Sequence, residues 1–193
     1  MRLFAPALLA ATLALGSAAA SAHSILFAGT FAPEAVGATG SGTLSMEYDE
    51  HGHTLLINAT WAGLSGNTSN AHIHCCTTNP NAGTAGVALA QGGILPSFPL
   101  GATSGSYVRI IDLTQANQYS ATFVTASGGT AAAAEARLIS NLLSGNAYFN
   151  IHSTTFPGGE IRTFVTAVPE PETYALMLAG LGLLVLRRRS VGR

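Results

Sequence analysis

Of the six histidines and two cysteines in the chain, four lie in one stretch, Ala71-His-Ile-His-Cys-Cys76. In an extended strand alternate side chains share a face. His72 and His74 therefore project together, about 7 Å apart at their Cα atoms, while Ala71, Ile73 and Cys75 take the opposite, core-like face. A third imidazole, His152, lies in Ala147-Tyr-Phe-Asn-Ile-His152, on the polar side of its own alternating run beside Tyr148 and Asn150. If neighbouring strands or one cleft bring them together, three neutral imidazoles make a site for zinc or copper, redox-active in the copper case. Glu160 or Asn150 would then orient a ligand from behind. A simpler arrangement uses the same residues, with the histidines hydrogen-bonding within a turn-rich sheet edge.

Cys75 and Cys76 are the only cysteines, and they are adjacent. Export to an oxidising compartment favours a disulfide. Trans neighbours, however, lie about 3.8 Å apart, where a disulfide usually wants about 4.4–6.8 Å. A regular strand also sends the two sulfurs to opposite sides. Three states stay open: a vicinal disulfide with the strand stopping near His74, two free thiols, or a Cys76 thiolate joining His72 and His74 on a metal.

Other residues carry less chemistry. His51 and His53 flank a turn and read as solvated. Pro157-Gly158-Gly159 reads as a tight turn, after which Glu160 and Arg162 share a face and pair with each other or across strands. Ser153 follows His152 directly, so in a strand the two point apart and form no nucleophile–base pair. No phosphate-binding loop, dinucleotide fingerprint, zincin or nucleophile-elbow pattern occurs. No catalytic residue is assigned.

The elements that must position these side chains are mostly short strands. Residues 24–31, 43–48, 53–61, 71–75, 86–90, 107–113, 119–125, 147–152 and 160–165 alternate apolar with polar residues, the first to third most clearly. Asp49-Glu50-His51-Gly52 closes the clearest hairpin. Residues 130–143 change to helix formers, with Thr130 as cap and Ala134, Leu138 and Leu142 on one face. Ser144-Gly145-Asn146 ends that helix. The expected fold is mainly β: an antiparallel β-sandwich of about eight strands with one short helix before the final hairpin.

Both ends read as addresses. Met1-Arg2, an apolar run over residues 3–15 and the box Ala20-Ser21-Ala22 describe a secretory signal peptide, residues 1–22, cut between Ala22 and His23. The free α-amine and imidazole of His23 would offer copper a terminal chelate. At the other end Val168-Pro-Glu-Pro-Glu172 precedes an apolar run over residues 174–186 and then Arg187-Arg188-Arg189. Thirteen residues of helix span about 20 Å, short of a ~30 Å hydrocarbon core. Membrane contact is therefore expected only transiently, through this segment, with the arginines on the cytoplasmic side. Residues 23–167 are left as one domain, large enough to bury roughly two-thirds of its unfolded surface. That domain holds seven carboxylates against three arginines, and the chain has no lysine. Nucleic acid and anionic lipid are thereby excluded as partners.

The run Tyr148-Phe-Asn-Ile-His-Ser-Thr-Thr-Phe-Pro-Gly-Gly-Glu-Ile-Arg162, with Ala71-His-Ile-His-Cys-Cys76 upstream, resembles the CHRD domain, the module named after chordin. The likeness covers most of residues 24–166 and implies an extracellular, non-enzymatic binding module. The tail (Pro169-Glu170-Pro171, apolar segment, Arg187–Arg189) resembles a PEP-CTERM sorting signal over residues 168–193. It implies a Gram-negative bacterium, export via the periplasm to the cell surface or matrix, tail removal by an exosortase, and exopolysaccharide or other surface proteins as partners. The His-x-His pair is similar to that of copper/zinc superoxide dismutase, but the likeness stops at those two residues.

Overall fold

The computed structural model describes residues 24–169, with residues 178, 180 and 181 beyond them. Nine strands follow in chain order: β1 (Ser24–Pro33), β2 (Ser41–Asp49), β3 (Thr54–Ala62), β4 (Thr68–Cys75), β5 (Val87–Leu89), β6 (Gly105–Asp112), β7 (Ala147–Ser153), β8 (Ile161–Phe164) and β9 (Thr166–Val168). Helices α1 (Ala121–Ala126) and α2 (Ala131–Leu143) lie between β6 and β7.

In place of two separate sheets face to face, the strands form a single curled antiparallel sheet, a half-barrel. Its order is β5-β4-β7-β8-β1-β2-β3-β6, with β9 also on β1. The long β1 makes the continuity. One edge of β1 pairs with β2 from Ser24 to Phe31; the other pairs with β9 at residues 26–28 and with β8 at residues 32 and 33. A strand shared in this way belongs to both halves of the sheet, and the built-in twist of paired strands then curls the whole.

The hollow of the sheet holds one apolar cluster, from Phe27 and Phe31 on β1 through Leu55, Ile57 and Trp61 on β3 to Phe149 and Ile151 on β7. Helix α2 packs against β7 and β9. It inserts Ala134, Leu138 and Leu142, all at most 1% exposed, at the four-residue spacing that puts them on one face. Fully burying each leucine contributes about 1.5–3 kcal/mol. Thr130 caps this helix, its side chain accepting from the Ala133 N–H.

The expected strand at residues 119–125 is instead helical. Ser120 accepts a hydrogen bond from the Phe123 N–H and caps α1, and Tyr119 and Phe123, four apart, both turn inward. Two α-helices therefore precede the last hairpin, where one was expected.

Candidate metal centre

Strands β4 and β7 are antiparallel neighbours, with His72 opposite Asn150, His74 opposite Tyr148 and Asn70 opposite His152. Ala71, Ile73, Ala147, Phe149 and Ile151 face the core and are at most 1% exposed. The alternation therefore sends all three imidazoles to the other face of the sheet. That face is not open to solvent: all seven residues of β7 are buried. It lies beneath the loop after β4 and the turn after β7.

Those two coverings also hold the rings. His74 Nδ1 lies 2.8 Å from the Ala85 carbonyl oxygen, and His152 Nδ1 lies 2.8 Å from that of Pro157. A carbonyl can only accept, so each ring carries its proton on Nδ1 and turns the Nε2 lone pair inward. Tyr148 stacks on His74 with ring centroids 4.7 Å apart and planes 9° from parallel. The Arg162 guanidinium lies 5.2 Å from the Tyr148 ring and 5.5 Å from that of Phe164.

His72 sits between the other two, its ring centroid 4.6 Å from that of His74 and 4.6 Å from that of His152. Its Nδ1 is buried without a hydrogen-bond partner, which costs about 1–3 kcal/mol. One nitrogen from each of the three rings lies within 4.8 Å of the others. Burial, reinforced by the neighbouring His74 and His152, pushes the His72 pKa down to about 4. His74 is also lowered, chiefly by burial. Both stay neutral at pH 7, the form in which imidazole binds metal.

Cys75 and Cys76 are joined to each other across a cis peptide, their Cα atoms 3.0 Å apart. With both sulfurs in that bond, no thiolate reaches the centre. Glu160 does not orient a ligand there. It is fully buried, and its Oε1 accepts from the Ser65 N–H. Nor does it pair with Arg162, whose partner is Glu34, 3.4 Å away. The reason is that Glu160 precedes β8, in the turn, so the strand alternation that would align it with Arg162 has not begun. His53 is likewise more than a solvated turn residue: its Nδ1 meets the Glu135 carboxylate at 2.9 Å.

Sequence reasoning misses Glu34 and the carbonyls of Ala85 and Pro157. Main-chain oxygens carry no residue signature, and Glu34 falls in a Pro/Gly/Ala-rich loop with no periodicity. Of the sorting and cleavage residues, Pro169 is described and exposed. Ala22, His23, Glu170, Pro171, Arg187, Arg188 and Arg189 lie outside the described residues. Among the described residues no helix is long and apolar enough to cross a membrane.

The described residues thus form a mainly β, half-barrel domain. Residues 24–165 match the family model of the CHRD domain, and the chain belongs to that family. Residues 167–190 match the PEP-CTERM protein-sorting motif, which marks an exported protein processed by an exosortase and sorted to the cell surface. No curated protein and no solved structure matches the chain.

Proposed function

We propose that this domain is a non-enzymatic module of the cell surface or exopolysaccharide matrix that binds one zinc or copper ion through His72, His74 and His152. The observation that carries the reading is the convergence of three buried ring nitrogens within 4.8 Å. Two of those rings are locked by main-chain carbonyls, which leaves each Nε2 unprotonated. Carbonyl-anchored imidazoles of fixed tautomer are how proteins orient histidine ligands toward a metal. The placement at the surface or in the matrix, in a Gram-negative bacterium, rests on the sorting motif. The scarcity of charge suits a partner bound through hydroxyl-rich contacts, such as a polysaccharide, better than a polyanion.

Metal analysis of protein purified from the periplasm tests the site. About one equivalent of zinc or copper is expected in the native chain and much less in His72→Ala and His152→Ala. Saturation to about 100 times Kd adds about 2.7 kcal/mol to stability, a Tm rise of very roughly 5–10 °C for a domain of this size. A native chain that neither retains stoichiometric metal nor shifts its Tm when zinc or copper is added would end the metal reading.

A further inference from the structure

The geometry points to Asn150 as a fourth ligand of this centre, through its amide oxygen, and to Glu34 as the residue that fixes which way the amide faces. This rests on the metal reading above and goes further, because it assigns a donor set of three imidazoles and one carbonyl-type oxygen.

Asn150 is 1% exposed. Its Oδ1 lies 3.2 Å from His74 Nε2 and 3.2 Å from His152 Nε2. Both rings already donate from Nδ1 to a carbonyl. In the neutral rings each Nε2 is therefore an acceptor. Three acceptors, two nitrogens and one oxygen, then face one another, and only His72, which also reaches Asn150, has a ring proton to offer that oxygen. A cation at their meeting point satisfies all three at once.

Turning the amide over would offer an NH2 to the two rings, but the opposite side of the amide opposes it. Asn150 Nδ2 points at Glu34 Oε2, 3.4 Å away. A turned amide would set its oxygen against that carboxylate. Glu34 is in turn held from two sides, by Arg162 Nη1 at 3.4 Å and by its own N–H donating to the Glu160 carbonyl at 2.8 Å. Gly159 completes the arrangement. Its φ is +125°, and a Cβ there would collide with Glu34 Oε2 and come within 3.0 Å of Asn150 Nδ2. The Pro157-Gly158-Gly159 turn therefore leaves room for the Glu34–Asn150 contact.

The donor set selects the ion. Three imidazoles and an amide oxygen are all neutral and include no soft sulfur, which suits a divalent borderline cation, Zn2+ or Cu2+, over Cu+. With no carboxylate on the metal, the ion keeps its full charge.

The test compares full-length exported protein with Asn150→Asp, Asn150→Leu and Glu34→Gln. Zn2+ affinity is read by chelator competition, and the ligand field by the visible absorbance of Co2+ in the same site. Losing a ligand or its orienting partner typically costs 10–100-fold in affinity. Asn150→Leu and Glu34→Gln should fall in that range with stoichiometry kept near one. Asn150→Asp keeps an oxygen toward the metal but sets its second oxygen against Glu34 Oε2, so it should bind more tightly than Asn150→Leu. The Co2+ band should shift in both Asn150 variants. Should Asn150→Leu fail to fold by circular dichroism, Asn150→Asp and Glu34→Gln decide. Native protein that binds Zn2+ while the folded variants match its affinity and Co2+ spectrum would overturn the Asn150 assignment and leave the three-histidine site standing. Native protein that binds neither ion would overturn both.

Discussion

The His53 imidazole lies 2.9 Å from the Glu135 carboxylate, 82 residues further along the chain, and so fastens helix α2 to the β2–β3 turn. Tyr48 donates to the same carboxylate at 2.8 Å. The hydrogen bond and charge of Glu135 raise the His53 pKa above its ordinary value near 6.5. A group whose pKa rises on folding stabilises the fold fully below its unfolded pKa, and loses that contribution as pH climbs through its folded value. His53→Asn removes the ring yet tolerates the left-handed backbone at this position, φ 50°, where asparagine is favoured. The Tm gap between native protein and His53→Asn should be wide at pH 5.5 and narrow at pH 8.5. A gap that does not change with pH would show that this ion pair does not form in solution.

Glu160 predicts the opposite pH sense. Burial pushes its carboxyl up, but the donors around it, the Ser65 N–H on Oε1 among them, outweigh that and hold it below the usual range. A carboxylate lowered on folding stabilises above its unfolded pKa and stops doing so as pH falls through its folded value. Glu160→Gln should cost about 1–3 kcal/mol at pH 7, the usual penalty for disturbing a buried hydrogen-bonded group. The difference should shrink as pH is lowered below about 4.3, the ordinary glutamate value. Thermal melts of both proteins across pH 3–7 measure it, and parallel curves would contradict the assignment.

The β2–β3 hairpin is legible from the chain because Leu44, Met46, Leu55, Ile57, Ala59 and Trp61 alternate strictly, and all of them are buried. Helix α1 is not. Phe123 within it and Tyr119 just before its cap fit either a weak strand or a four-residue helical spacing. What decides is a single cap, Ser120, which a pattern of hydrophobicity does not weigh. The shared face of His72 and His74 follows from local alternation. The third ring arrives only because β4 pairs with β7, a contact between segments about 75 residues apart that no local pattern specifies. Glu34 is further still from any signal, since its role depends on where a loop beyond β1 meets the turn before β8.

The joined state of Cys75 and Cys76 has a direct chemical readout. Unfolded, exported protein should show no thiol reactive toward a maleimide. After reduction it should show two, with an intact mass about two hydrogens higher. Two reactive thiols in the unreduced protein would return Cys76 to the list of candidate metal ligands.

Gly29 tests the continuity of β8 and β9 along β1. The two short strands keep one register on β1, with Ala32 opposite Arg162 and Ala28 opposite Thr166. Gly29 lies at the junction. A Cβ there would collide with Thr163 Oγ1 and come within 2.9 Å of the Phe164 carbonyl oxygen. Gly29→Ala should therefore destabilise by about 1–3 kcal/mol, the range for overpacking. Thr163→Ala in the same chain should recover part of the loss, because it removes one of the two obstructing atoms. Wild-type stability for Gly29→Ala would mean that β8 and β9 stand further from β1.

Cleavage of the tail should leave the fold whole, for a reason visible at the end of the sheet. Val165 is 1% exposed and is the last core residue among those described. Thr166–Val168, all exposed, pair with residues 26–28 and lie against α2, and Pro169 is exposed as well. A cut within residues 168–172 therefore removes no described core contact. Exported protein should have an intact mass corresponding to a chain from His23 to that window, and a periplasmic variant ending at Val168 should melt within a few degrees of it. Material that still carries Arg187–Arg193 at the cell surface would contradict exosortase processing. Loss of cooperative melting on truncation at Val168 would mean that residues beyond β9 support the core.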